Sequence, residues 1–236
     1  MSGPKDIPTY VKDERLVEMR RAQIVRAAVD LFIHKGFHKT TTREIAQASK
    51  FSIGTLYEYV SSKEDILYLV CYDINARIRE GLKALEGTAR DPDVVLKAAI
   101  DRLIRVVDAL DDEVLLIYQE TKSLLPEAMR DVLAKEEEIV AYFARLLEDG
   151  RARGFFRIAE EDIDLMAENI VVLAEMWAFR RWALRKKYTI EQFIDRQTRL
   201  LLGELGVRTT EGPLEPGAGP SDQAASASGE RRAPDG

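Results

Sequence analysis

Apolar residues recur at helical spacing along most of the 236-residue chain, and no useful stretch shows the two-residue alternation of a strand. Leu16, Met19, Ile24, Ala27, Ala28, Leu31 and Phe32 predict a helix from about Glu14 to Lys35, which Gly36 stops. Thr41 or Thr42 caps a short second helix with Glu44 and Ile45 in its first turn, and Ile45, Ala46 and Ala48 facing inward. Ser52 caps a third, whose inner face is Leu56 and Val60. Ser61 or Ser62 caps a fourth, where Glu64 and Asp65 suit the positive helix end. That helix is expected to run through Leu67, Val70, Ile74, Ile78, Leu82 and Leu85 as far as Glu86.

Gly87 and Asp91-Pro92 interrupt the pattern. Helices follow over 93–110 and 114–125, then from Pro126 to Arg153, with Phe155 and Phe156 expected to fill a core gap. A nearly all-apolar helix is predicted over Glu160–Lys187, and a last one from the Thr189 cap to about Leu205-Gly206. Residues 207–236 are rich in Gly, Pro, Ala and Ser and lack Ile, Phe, Tyr and Trp, which reads as a disordered tail. The fold class is therefore all-α, with about nine helices. The divisions are a flexible arm at 1–13, a reading unit at 14–62, a helical body at 63–206 and the tail.

Charge sharpens this division. The net charge is −6, yet residues 1–65 hold eleven Lys/Arg against nine Asp/Glu, and the rest holds 24 against 32. A basic end with an acidic body suits attraction of phosphate to one end alone. With 46% apolar residues a sizeable core can form. The single cysteine, Cys71, excludes an internal disulfide and a cysteine-rich zinc site, and reads as core. No apolar run reaches the roughly 20 residues of a membrane span, and no signal peptide is evident, so a soluble cytoplasmic protein is expected. His34 and His38 have the spacing of a helical metal pair, but Gly36 interrupts them and no third ligand is evident.

The run from Thr42 to Leu67, T-x-x-E-I-A…S-x-G-T-L-Y-x-Y-x-x-S-K-E-x-I-L, follows an A-A-x-x-L-F-x-x-x-G-F segment. Over about residues 20–70 it resembles the TetR/AcrR family of transcriptional regulators. The resemblance implies an N-terminal three-helix, helix-turn-helix DNA-binding domain and a C-terminal helical ligand-binding and dimerisation bundle. It also implies a homodimer on a palindromic operator, and release of DNA on ligand binding. The turn departs from the family's usual Ala-Gly-Val-Ser, having Ser49-Lys50-Phe51-Ser52 instead. Lys50 is expected to keep the left-handed backbone of that glycine, at a strain of about 1 kcal/mol. Phe51 would then be the buried residue of the turn, and Lys50 could touch a phosphate.

Gly54 would let the third helix approach the groove closely. Ser52 and Thr55 are short donors that suit phosphate. Tyr57 and Tyr59 could bond phosphate or meet a thymine methyl, and Ile53 could do the latter or serve as a partly buried staple. Thr42 and Arg43, at the start of the second helix, are further phosphate candidates. The resemblance adds Lys63. Lys12, Arg15, Arg20 and Arg21 could extend the contacts or lie on a solvated face.

For the regulatory site, Tyr118, Gln119, Asn169, Trp177, Arg180 and Arg181 are the candidates, each with a plain core or surface reading beside it. The basic end Arg180-Arg181 with Arg185-Lys186-Lys187 would suit the phosphates of a fatty acyl-CoA or another acyl-CoA, as sensed by some family members. The alternative is a favourable helix end, with Glu136-Glu137-Glu138 as partners. A dimer face is expected from Val171, Val172, Ala174, Glu175 and Ala178, with Phe193, Gln197, Leu200 and Leu201. No cofactor is expected. The leading function is a ligand-responsive repressor released by a hydrophobic or amphipathic effector. The alternatives are a repressor of drug efflux and a helical protein-interaction bundle without DNA binding. No glycine-rich phosphate loop or nucleophile elbow supports an enzyme.

Overall fold

The Asp13 carboxylate accepts the Leu16 N–H and starts α1, Glu14–Lys35. Such a cap contributes about 1 kcal/mol. In this computed structural model, residues 7–9, 11–83 and 91–207 are described. Gly36 ends α1 at φ 86°, its N–H returning to the Phe32 carbonyl. A reciprocal capping box between Thr41 and Glu44 starts α2, Thr42–Ala48, and the Ser52 hydroxyl starts α3, Ile53–Tyr57. Ser62 Oγ accepts the Asp65 N–H at the head of α4, Lys63–Lys83. The predicted end of this helix at Glu86 lies outside the described residues.

The body adds α5 (Pro92–Ala109), α6 (Asp111–Glu120), α7 (Pro126–Ala152), α8 (Ile163–Phe179), α9 (Arg181–Leu184) and α10 (Ile190–Glu204). Among the described residues these ten α-helices, with two single 3₁₀ turns, are the whole secondary structure. Apolar stripes from α4, α5, α7 and α8 meet in one core, with Ile74, Leu96, Ile100, Leu103 and Phe143 fully enclosed. Two polar ties fix α4 on α7: Tyr68 donates to Asp131, and Asn75 Nδ2 donates to the Val132 carbonyl. Phe156 fills a core gap against Gly150, where a Cβ would lie 2.0 Å from its ring, whereas Phe155 is exposed, with the Arg153 guanidinium over its ring.

Three expectations change. The helix ending at Leu125 stops at Glu120, and a 3₁₀ turn over Thr121–Ser123 follows. The single helix over 160–187 breaks at Arg180, because Arg181 and Arg185 bind aspartates on α5 and α6 and turn the chain into α9. The arm at 1–13 is not loose where it is described. Ile7 is buried, its carbonyl accepts Arg21 Nη2 at 2.6 Å, and the Thr9 hydroxyl donates to the Glu58 carbonyl at 2.8 Å. Residues 1–6 and 10 of the arm, and the tail from 208 on, lie outside the described residues.

Candidate nucleic-acid interface and effector cavity

The reading unit is built by local capping. Lys35 Nζ lies 2.5 Å from the Glu44 carboxylate and, with the Thr41 N–H and hydroxyl, holds its pKa down to about 2. That fixes the start of α2 and sets Thr42 and exposed Arg43 at the surface. The α2–α3 turn then closes with the Phe51 N–H on the Ala46 carbonyl and the Lys50 N–H on the Gln47 carbonyl. This is a Schellman motif, and its left-handed residue is Lys50 at φ 61°. Phe51 is half-buried, between the Arg20 guanidinium and the Tyr59 ring, and the Lys50 side chain is exposed.

Helix α3 buries Leu56 and turns Ile53 (39% exposed), Gly54 and Tyr57 (45% exposed) to solvent. The Tyr57 hydroxyl is 3.2 Å from Thr42 Oγ1, joining the two helices at the surface. Ser52 and Thr55 hydroxyls lie 2.9 Å apart at its head. A Cβ on Gly54 would meet only Ser52 Oγ, at 3.7 Å, so the fold itself leaves room for a side chain there.

Two residues leave the predicted set. Tyr59 is 5% exposed and stacks on Phe51 at 6.3 Å, so its ring belongs to the core. Lys63 Nζ donates to the carbonyls of Phe37, His38 and Thr40 and sits 4.4 Å over the Phe37 ring. Its ammonium has three hydrogens and three internal acceptors, so it closes the α1–α2 loop and does not reach outward. Arg21 is likewise internal, donating to the Tyr59 and Ile7 carbonyls. Ala48, expected to face inward, is exposed.

In the body, a half-open cavity of about 280 Å³ lies between α4, α6, α7 and α8. Ile78, Val114, Ile117, Leu133 and Phe179 give it apolar walls, and Tyr118 stands at its edge, its ring 4.8 Å from that of Phe179. Asn75, Thr121, Glu136 and Glu175 supply the polar groups. Burial, then the neighbouring Glu136 and Glu168 carboxylates, push Glu175 up to about 7. Burial, with Glu168 and Glu137, also raises Glu136.

Of the effector residues expected from the sequence, only Tyr118 lines this cavity. Gln119 is exposed and points elsewhere. Asn169 is exposed near Arg157 and Glu204, in a separate surface depression. Trp177 is 2% exposed, its indole N–H donating to Asp108 at 2.6 Å. Arg181 binds Asp111 and Asp112, Arg185 binds Asp108 and Asp111, and Arg180 lies over the Trp182 ring. The partners of Arg181 and Arg185 are thus aspartates of α5 and α6, whereas Glu138 binds Arg79 and Lys135. The predicted dimer face thins as well. Val171, Ala174, Ala178, Phe193 and Leu201 are buried within the subunit, and Glu175 faces the cavity. Val172 and Leu200 remain outside, and Leu165, about two turns before Val172 on α8, is exposed as well.

The sequence reading missed most of the cavity. Its legible signal was Glu175, an acid within the otherwise apolar run 170–179. Arg21 and the Asp108–Asp111–Asp112 cluster had no such mark.

Residues 24–68 match the family model described as bacterial regulatory proteins, tetR family, and residues 89–178 match the tetracyclin repressor-like C-terminal domain. The chain belongs to the TetR family. It is 33% identical over 207 residues to the HTH-type transcriptional regulator HbdR of Aromatoleum sp. (strain CIB), covering 86% of this chain and 87% of that one. Two solved structures share the fold. A tetR-family regulatory protein from Rhodococcus RHA1 aligns with TM-score 0.72 at 23% identity, over 80% of this chain and 98% of that one. AibR, solved with isovaleryl coenzyme A and operator DNA, aligns with TM-score 0.66 at 22% identity, over 78% and 98%. The TetR-family assignment makes this chain a DNA-binding transcriptional regulator and not an enzyme. Among its described residues no helix is long and apolar enough to cross a membrane.

Proposed function

We propose that this TetR-family regulator binds a near-palindromic operator as a homodimer and is released when a small amphipathic effector enters the α4–α6–α7–α8 cavity. The observation that carries the DNA half is the solvent-facing set Ile53, Gly54 and Tyr57 on a helix whose opposite side is core. Thr42, Arg43, Lys50, Ser52 and Thr55 flank it and supply phosphate contacts. The reading unit spans residues 14–62, tied down by the arm, and the body spans 63–206. Two copies joined through the Leu165, Val172 and Leu200 surface would set two reading helices about 34 Å or more apart, one turn of duplex. Such a repressor works in the cytoplasm, where its operator is.

A second reading concerns the effector. The fold shared with AibR, solved with isovaleryl coenzyme A, favours an acyl-CoA whose acyl chain enters the cavity while the nucleotide stays outside. Its phosphates would have to displace aspartates from Arg181 and Arg185. Gel shifts on the DNA flanking the gene test both levels. Binding that falls steeply with salt supports the regulator, and its absence on every flanking fragment sinks it. Release by members of an acyl-CoA panel supports the thioester, and an unaltered shift across the panel removes it.

A further inference from the structure

The effector cavity is one-sided in its chemistry. Asn75 uses an amide N–H on the Val132 carbonyl, and Thr121 uses its hydroxyl hydrogen on the Ile117 carbonyl at 2.7 Å. What these groups chiefly retain is oxygen lone pairs. Glu136 from α7 and Glu175 from α8 add two carboxyl groups to the same lining, and among the described residues no basic side chain joins them. The basic residues beside the lining positions are engaged elsewhere: Lys135 and Arg79 with Glu138, Arg77 with Asp73 and Glu113, and Arg180 over the Trp182 ring. Two carboxyl groups sharing a half-buried space repel when both ionise, and a cation between them removes the repulsion. The remaining wall is apolar and can hold a hydrocarbon body.

We infer that the cavity takes an apolar molecule ending in a protonated nitrogen, held between Glu136 and Glu175, and discriminates against anionic heads. This rests on the cavity being the effector site, and it stands against the acyl-CoA reading by naming a protonated amine as the class of molecule that site selects. A carboxylate head would add a negative charge beside two carboxyl groups that already repel when ionised, with no basic side chain in the lining to meet it. A neutral hydroxyl can donate to either glutamate but brings no charge, so it ranks between.

The test uses the full-length chain without DNA and three probes of equal length: octylamine, octanol and octanoate. Binding is followed by calorimetry at pH 7 with wild type, Glu175→Gln, Glu136→Gln and the double variant, each checked for an unchanged helical spectrum. Octylamine is expected to bind at least tenfold more tightly than octanoate, with octanol between. That preference should shrink in each single variant and vanish in the double. Octanoate binding as tightly as octylamine, octylamine failing to bind at millimolar concentration, or a preference that survives the double variant overturns the inference. Operator binding is measured separately by gel shift, so failure here leaves the DNA-binding reading standing, and loss of that reading leaves the probe ranking intact.

Discussion

His38 Nε2 lies 3.8 Å from the Glu120 carboxylate and 3.5 Å from Ser123 Oγ, joining the α1–α2 loop of the reading unit to the end of α6. The next residue, Thr121, lines the cavity. A ligand that moves the 121–123 turn therefore moves a contact of the DNA-binding half within one residue. His38 is largely exposed, so the pair contributes little to stability, under about 1 kcal/mol. Glu120→Gln and His38→Ala should leave melting temperature and operator affinity nearly unchanged and reduce effector-driven release severalfold. Gel shifts across an effector titration measure this, and wild-type release in both variants would remove the pair from the coupling route.

The two tyrosines of the reading segment should behave oppositely. Tyr57→Ala removes an exposed ring and should weaken operator binding at least tenfold while shifting stability by no more than about 0.5 kcal/mol. Tyr59→Ala empties a core position and should cost about 3–5 kcal/mol. Thermal melts paired with gel shifts separate them. A Tyr57→Ala protein that binds DNA normally would displace the face assigned to α3.

Gly54→Ala isolates the groove from the fold. Nothing in the structure obstructs the added methyl, and alanine favours a helix over glycine by about 1 kcal/mol. The variant should be as stable as wild type or slightly more so, yet bind operator more weakly. A gain in stability with unchanged affinity would make this glycine merely a helix-start residue.

Glu175 makes stability depend on pH. Its folded pKa of about 7 stands above the usual carboxylate value, so the folded state holds this proton more tightly than the unfolded chain. Burial therefore costs nothing through this group below about pH 4.5, and the penalty grows as pH rises to about 7. Glu136 and Glu168 face the same region and reinforce the sign. Glu175→Gln should raise stability over wild type by about 1–3 kcal/mol at pH 8 and by little at pH 4. Urea melts at the two pH values measure it. An equal gain at both would assign the effect to something other than ionisation.

Helix starts were legible because each depends on a few adjacent atoms. Thr41, Ser52 and Thr189 each cap the helix that follows them. The left-handed Lys50 was also legible, through the resemblance, since the family's usual glycine at that place marks the conformation. What the sequence concealed was set by distant partners. Tyr57 and Tyr59 look alike in the chain, and only the packing of Phe51 decides which one is core. Lys63 looks like a surface cation until the loop from Phe37 to Thr40 folds its carbonyls around it. The basic run at the end of α8 promised an anion site, but aspartates more than sixty residues away already occupy Arg181 and Arg185.

The strap formed by Ile7, Thr9 and Arg21 bears on where the chain can be shortened. A protein started at Met19 would keep every residue of α2 and α3, yet lose the hydroxyl that grips the Glu58 carbonyl and the backbone that Arg21 holds. Its recognition element would be intact in sequence and still joined to Arg21 through the Tyr59 carbonyl, but short of two outer hydrogen bonds. Such a trimmed chain is expected to bind its operator more weakly, for a reason that no inspection of the helix-turn-helix itself could supply.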